Sequence, residues 1–170
     1  MKAETYSEVR QKAHNGDVIF LHVDKKNILS RITSKFTGSP LTHSAILFWV
    51  VIGGIRRLML IESTTNGGIR IVQASIYEDR PMYYVSASTR WKTVQERAFE
   101  SLGKVKYGWF SAIYIGIRDF MFTHFEIKLP SKMTRNPACS EFTAYVLGLE
   151  ETDIPPSRLY QVLTQKSKQP

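Results

Sequence analysis

The chain of 170 residues contains one cysteine, Cys139, in the segment Asn-Pro-Ala-Cys-Ser-Glu-Phe-Thr-Ala-Tyr-Val-Leu. Pro137 suits the first turn of a helix, because its missing N–H has no intrahelical partner there. Apolar residues then recur at helical spacing, at Phe142, Tyr145, Val146 and Leu149. The predicted helix has Cys139 in its first turn, where free N–H groups and the helix dipole favour a thiolate. Such a cysteine is either a nucleophile or a small core hydrophobe, and position alone does not decide between them.

A histidine and a glutamate stand in the two strands of a predicted hairpin. Two runs rich in branched and aromatic residues flank Gly53-Gly54, which is a hairpin turn signal. If the turn is centred on the two glycines, His43 lies opposite Thr64, and Glu62 is its diagonal neighbour on the same face. A turn shifted by one residue places Glu62 on the other face instead. On the same face, the carboxylate orients the imidazole and stabilises the imidazolium that forms when His43 takes a proton.

The remaining motifs offer no other site. His14 stands in a polar turn, His22 stands near a strand end, and spacing places no carboxylate beside His124. With no HxxxH or HxxH pair and no second cysteine, the sequence predicts no metal site. It also lacks the GxxxxGK[ST] and GxGxxG loops of nucleotide-binding proteins, so no cofactor is expected. A GxSxG serine motif is absent as well. Cys139 with His43 is therefore the best nucleophile–base pair that the chain offers.

Helices and strands follow one another in the pattern of a single α+β domain spanning residues 1–170. The predicted helices are Thr5–Ala13, Ile28–Phe36, Thr89–Leu102, Trp109–Phe125, the Cys139 helix and Pro156–Thr164. The predicted strands are Val18–Val23, His43–Ile52, Arg57–Glu62, Gly68–Gln73 and Met82–Ala87. Hairpin turn signals join several of these strands, which predicts an antiparallel sheet.

The charge and the apolar pattern limit the partners of the chain. Its formal net charge is +8, but no run of five basic residues occurs, so no dedicated nucleic-acid motif is predicted. The charge fits a solvated basic surface or a face that attracts an anionic partner: nucleic acid, acidic lipid or an acidic polymer. The longest apolar stretches are shorter than the ~20 residues of a transmembrane helix. With a polar N-terminus and one cysteine, the sequence predicts no signal peptide and no internal disulfide. A cytoplasmic location is expected unless another system exports the protein.

Three segments resemble the circularly permuted, YiiX-like branch of the NlpC/P60 papain-like superfamily. They are 16–20 (Gly-Asp-Val-Ile-Phe), 42–47 (Thr-His-Ser-Ala-Ile-Leu) and 139–142 (Cys-Ser-Glu-Phe), and the similarity extends to 154–159. In that branch the histidine begins a strand and the cysteine starts a later helix, the reverse of the order in papain. The resemblance implies a papain-like fold, a small antiparallel sheet or barrel packed against helices. It also implies Cys139 as nucleophile, His43 as base and Glu62 as the residue that orients the base.

The resemblance implies a cysteine hydrolase, either an amidase or a peptidase, whose substrate is a peptide or a small amide, including cell-wall peptides. Related permuted enzymes also process lipids, so a thiol acyltransferase or esterase is an alternative. An acyl groove could then be lined by Phe110, Ile113, Tyr114, Ile117, Phe120 and Met121, although such a stripe also suits a helix that covers the core. A third alternative is a basic, non-catalytic binding module. The chain departs from the family at Tyr107-Gly108, where Tyr-Asp is usual.

Overall fold

A five-stranded antiparallel sheet with helices on both faces forms the fold, in the order β4-β3-β2-β1-β5. The computed structural model describes residues 2–65, 67–87, 89–103, 109–127 and 137–167. The strands are β1 (Val18–His22), β2 (Leu41–Ile52), β3 (Ile55–Thr64), β4 (Gly68–Gln73) and β5 (Met82–Val85). The helices are α1 (Tyr6–Lys12), α2 (Ile28–Thr37), α3 (Trp91–Ser101), α4 (Trp109–Phe125), α5 (Cys139–Leu147) and α6 (Pro156–Lys166), with a 3₁₀ turn at Ala74–Tyr77. The predicted α+β class, a small antiparallel sheet packed against helices, is confirmed.

Strand β1 is buried on both faces at the centre of the sheet. Because successive side chains of a strand point to opposite faces, Val18 and Phe20 pack into the core under α3, α5 and α6. Ile19 and Leu21 pack into a second core on the side of α1. The sheet is therefore covered on both faces, and its strands are held firmly enough to position side chains at their ends.

The β2–β3 hairpin has the register that its two glycines predict. Gly53 and Gly54 have φ values of +58° and +76°, the positive values that a two-residue type I′ turn requires. Pairing runs from Ile52–Ile55 to Ile46–Ile61 and stops there. Beyond this point β2 stays paired with β1, and β3 stays paired with β4. Helix α5 contacts both β2 and β3, and its start lies against the ends of the two strands.

Helix α5 begins two residues later than the proline predicts. Pro137 lies before the helix, Ala138 is the extended N-cap residue, and Cys139 is the first helical residue. The Pro137 carbonyl accepts a hydrogen bond of 2.9 Å from the Ser63 hydroxyl at the end of β3. This long-range bond holds Pro137 outside the helix, at the end of β3. The expectation that Pro137 lies in the first turn is therefore wrong. The placement of Cys139 in the first turn is right.

Helices α2 and α4 pack against each other beside the sheet. Within the ranges given above, no helix has both the length and the apolar run needed to cross a bilayer. Several positions of the proposed acyl groove cannot be compared with the structure, because the side chains of Phe110, Ile113 and Phe120 lie outside the described part of the chain. The same holds for residues 104–108, which contain Tyr107-Gly108.

The aspartate of the Gly-Asp pair holds two parts of the sheet together. The carboxylate of Asp17 is only 2% exposed and accepts hydrogen bonds from the backbone N–H of His14 at 2.7 Å and of Ala87 at 3.0 Å. The hydroxyl groups of Tyr84 and Ser86 donate to it as well. Asp17 therefore ties the turn after α1 to the end of β5, and its role is structural.

We expect Asp17→Ala to lower the free energy of unfolding by about 2–4 kcal/mol, because it removes the shared acceptor of four part-buried hydrogen bonds. Urea unfolding followed by circular dichroism measures the change. Asp79→Ala, which alters an exposed aspartate, is the matched control and should change stability by less than about 0.5 kcal/mol. Equal effects of the two substitutions would contradict the structural role of Asp17.

Candidate active site

The three side chains singled out in the sequence lie together where the β2–β3 pairing ends. His43 stands on β2, Glu62 on β3 and Cys139 at the start of α5. The His43 Nε2 atom lies 2.7 Å from a Glu62 carboxylate oxygen, Oε2. His43 and Cys139 line the same pocket, with a volume of about 230 Å³. The hairpin register thus places His43 and Glu62 on one face, and α5 brings Cys139 to them.

Glu62 is fully buried and is surrounded by donors. Besides His43, its carboxylate accepts hydrogen bonds from Arg70 Nε at 2.9 Å and from the Tyr77 hydroxyl at 2.9 Å. Burial by itself raises the pKa of Glu62, but the hydrogen bond and charge of His43, followed by the bonds from Arg70 and Tyr77, lower it to about 2. Glu62 is therefore ionised at neutral pH and holds His43 in a single orientation.

His43 is held in its protonated form by its two neighbours. Burial lowers the pKa of His43, but hydrogen bonds to Cys139 and Glu62, together with their negative charges, raise it to about 10. Because Nε2 is bonded to Glu62, Nδ1 is the ring nitrogen left for the thiol. His43 thus has the position of a base that takes the thiol proton and returns it later.

The Cys139 side chain is buried, with 5% of the residue exposed, yet its environment favours the thiolate. Burial raises the pKa of the thiol, but the hydrogen bond and charge of His43, and backbone N–H groups of Ser44 and Ser140, bring it below the ordinary value. The Thr42 carbonyl oxygen lies 4.0 Å from Sγ. A thiolate paired with an imidazolium is the state that this arrangement favours.

Hydrogen bonds fasten the start of α5 to the sheet. The Thr143 hydroxyl donates to the Cys139 carbonyl at 2.9 Å and lies 3.0 Å from the Ser44 hydroxyl of β2. The first backbone bond of the helix runs from the Phe142 N–H to the Ala138 carbonyl. The Cys139 N–H precedes that first bond, and the helix dipole at this end favours negative charge beside the thiol.

Polar side chains line most of the pocket around Cys139. The wall formed by α2 and the turn before it contributes Asp24, Asn27, Ser30 and Thr33. The end of β3, β4 and the residues near the 3₁₀ turn contribute Ser63, Thr64, Thr65, Arg70, Tyr77 and Arg80. Hydroxyl, amide and guanidinium groups predominate, which suits a substrate that itself offers hydrogen-bonding groups.

Arg70 and Tyr77 are the two site residues that the sequence interpretation did not identify. Arg70 is paired with Glu62 in the β3–β4 ladder. The Asn-Gly-Gly segment at 66–68, taken as a hairpin turn, would have predicted this pairing from the sequence. Tyr77 lies on a 3₁₀ turn, which has no apolar periodicity to reveal it. Neither His14 nor His22 lines the pocket, and the side chain of His124 lies outside the described residues.

Comparison with known proteins shows a likeness of fold and no family. No family model and no curated protein matches the chain. Among solved structures it is similar to the metalloprotein YiiX of Escherichia coli O157:H7, also labelled DUF1105, with 12% sequence identity and a TM-score of 0.49. The match covers 86% of this chain and 91% of YiiX. At these values the likeness bears on no residue, ligand or activity, and it does not establish membership of NlpC/P60. Among the described residues, no three His, Cys, Asp or Glu side chains are grouped so as to hold a metal ion.

We expect the rate at which iodoacetamide alkylates Cys139 to remain high well below pH ~8.5, the pKa of a free thiol. Because His43 lowers the thiol pKa, His43→Asn should move the alkylation profile to pH ~8.5 or above, where burial acts unopposed. The chain has no other thiol, so intact mass follows the reaction directly. His14→Asn, which alters a histidine with 81% of its side chain exposed, is the control. Identical profiles for wild type and His43→Asn would contradict the ion pair.

We expect the free energy of unfolding to decrease as the pH falls from about 4.5 to about 2, the ordinary and folded-state pKa values of Glu62. Because its pKa is lower in the folded state, ionised Glu62 stabilises the fold above about pH 4.5. Protonation of Glu62 between about pH 4.5 and pH 2 lowers the free energy of unfolding by on the order of 3 kcal/mol. Glu62→Gln should remove that part of the pH dependence in urea unfolding. The exposed Glu78 provides the control substitution Glu78→Gln, which should keep it. A slope that survives in Glu62→Gln would show that other carboxylates cause it.

Proposed function

We propose that this protein is a cysteine-dependent hydrolase of the papain type that cleaves an amide bond through an acyl-enzyme on Cys139. The observation that supports it best is the buried His43–Glu62 pair, 2.7 Å between Nε2 and Oε2, beside a thiol at the start of a helix. A merely structural cysteine needs neither an oriented imidazole nor a pKa below the ordinary value. The papain-like, permuted NlpC/P60 relationship, with histidine before cysteine, is part of this proposal.

In the first half of the reaction the Cys139 thiolate attacks the carbonyl carbon of the substrate amide. The new C–S bond pushes the carbonyl electron pair onto oxygen, and backbone N–H groups at the start of α5 bind that oxyanion. The tetrahedral intermediate collapses, the C–N bond breaks, and the imidazolium of His43 gives its proton to the leaving nitrogen. The products of this half are an amine and a thioester on Cys139.

In the second half a water molecule hydrolyses the thioester. Neutral His43 takes a proton from the water as its oxygen attacks the acyl carbon, and the C–S bond breaks to release a carboxylic acid. The thiolate–imidazolium pair is thereby restored. Glu62 stays ionised throughout, and its contribution is to orient His43 and to stabilise each imidazolium state.

The lining of the pocket supports a polar substrate. Its hydroxyl and amide lining fits a peptide or another polar amide, including cell-wall peptides, better than it fits an acyl chain alone.

A single domain and a cytoplasmic location remain predictions from the sequence.

We expect Cys139→Ala to abolish hydrolysis of peptide amides, His43→Ala to lower kcat by at least about 100-fold, and Glu62→Gln to have a smaller effect. The measurement is product release from a panel of dipeptide and N-acyl amino acid amides, with intact mass used to detect the acyl adduct. His14→Asn should keep full activity. Unchanged hydrolysis in Cys139→Ala would exclude this mechanism. If the panel yields neither product nor adduct and the thiol titrates normally, the chain is a binding module.

A further inference from the structure

Helix α2 has two faces of different chemistry. Ser30 and Thr33 line the pocket of Cys139. Ile28 and Ile32, one helical turn apart, are 68% and 41% exposed. At roughly 100° per residue, Ser30 lies about 160° around the helix axis from both isoleucines, and Thr33 lies about 140° from Ile28 and about 100° from Ile32. One helix therefore separates the polar pocket from an apolar outer surface.

Basic side chains share the outer face of α2 with the two isoleucines. Arg31 and Lys35 are exposed and fall within about 100° of Ile28 and Ile32 around the helix axis. Lys25 and Lys26, also exposed, precede the helix, and the sequence contains no acidic residue from 25 to 61. None of the four basic side chains forms an ion pair with a carboxylate in the described part of the chain.

The neighbouring helix α4 extends the apolar surface. Ile117, Phe122 and Phe125 are 42%, 37% and 59% exposed, and Ile127 just beyond the helix is 46% exposed. Helix α4 packs against α2, so these exposed side chains stand on the helix next to Ile28 and Ile32, with Phe122 held against Arg158 of α6. Large exposed apolar groups gathered in this way mark a surface that meets a partner.

We propose that the outer surface of α2 and α4 docks onto an anionic lipid bilayer. The exposed isoleucines enter the boundary between headgroups and acyl chains, while Lys25, Lys26, Arg31 and Lys35 meet lipid phosphates. Apolar and basic side chains on one face are the combination that interfacial helices use. Duplex nucleic acid offers phosphates but no apolar phase for Ile28 and Ile32, so it accounts for only half of this surface.

Docking of this kind bears on the substrate of the site, and that part of the inference depends on the proposed function. A helix is roughly 10 Å across, so a bilayer on the outer face of α2 lies about one helix diameter from the wall of the Cys139 pocket. The amides best placed to reach the thiol are then polar groups carried on a membrane-anchored molecule.

The test is co-sedimentation of the full chain with phosphatidylcholine vesicles, with and without phosphatidylserine, at several salt concentrations. We expect binding that requires phosphatidylserine and weakens with salt. Arg31→Gln with Lys35→Gln should weaken it by roughly 25-fold, from about fivefold per basic group. Ile28→Ser with Ile32→Ser should weaken it by about tenfold or more. All four positions are exposed, so the variants are expected to fold.

The β2–β3 hairpin provides a matched control. Ile52 and Ile55 face each other there and are 53% and 57% exposed, at the opposite end of the strands from His43. Ile52→Ser with Ile55→Ser should leave vesicle binding unchanged. The proposal is overturned if no anionic vesicle is bound, if the hairpin variant loses binding as much as the α2 variant, or if a DNA duplex is bound and vesicles are not. Cys139→Ala should retain vesicle binding, which separates this surface from the catalytic proposal.

Discussion

The burial of the Glu62 carboxylate is the constraint on which the candidate site depends. An ionised carboxylate without contact to water costs several kcal/mol unless donors surround it, and here His43, Arg70 and Tyr77 do so from three different elements. Cys139 and the ionised Glu62 together keep the imidazole protonated, and the imidazolium in turn lowers the pKa of the Cys139 thiol. A charge buried in β3 thus determines the chemistry of a side chain on α5.

Burial and pairing act against each other at Cys139. Removal from water disfavours the thiolate, so the same thiol without its imidazole partner would be inert. The lowered thiol pKa therefore comes from the pairing with His43 and from the backbone N–H groups of Ser44 and Ser140. Polar side chains line the pocket around this thiol. The exposed isoleucines of α2 lie on another face of that helix, away from the pocket.

The hairpin was the part of the site that could be predicted from sequence. A turn centred on the two glycines predicts the observed register, and the alternation of side chains in a strand then places His43 and Glu62 on the same face, whereas a turn shifted by one residue would separate them. The helix bearing Cys139 was predictable from its apolar spacing. Its starting residue was not, because Pro137 is held by a hydrogen bond from Ser63, 74 residues away in the chain. Long-range contacts of this kind leave no local pattern.

Arg70 and Tyr77 could not be identified from the sequence for a similar reason, because their contacts with Glu62 depend on the assembled sheet. The partner of Glu62 on β4 depends on the register of a second hairpin, and the Asn-Gly-Gly turn at 66–68 can be centred in more than one way. Tyr77 reaches Glu62 from a 3₁₀ turn of four residues, too short to have a periodic signature. Both side chains are recognisable only once the sheet has been assembled.

The distance along the chain between Cys139 and His43 has a consequence for the folding of the newly made protein. The hairpin is a local structure that forms within microseconds, whereas docking of α5 joins segments 96 residues apart and must wait for later synthesis and slower loop closure. Until then Cys139 has no imidazole beside it and behaves as an ordinary thiol. The pairing of Cys139 with His43, and the lowered thiol pKa that comes with it, therefore arise only in the folded protein.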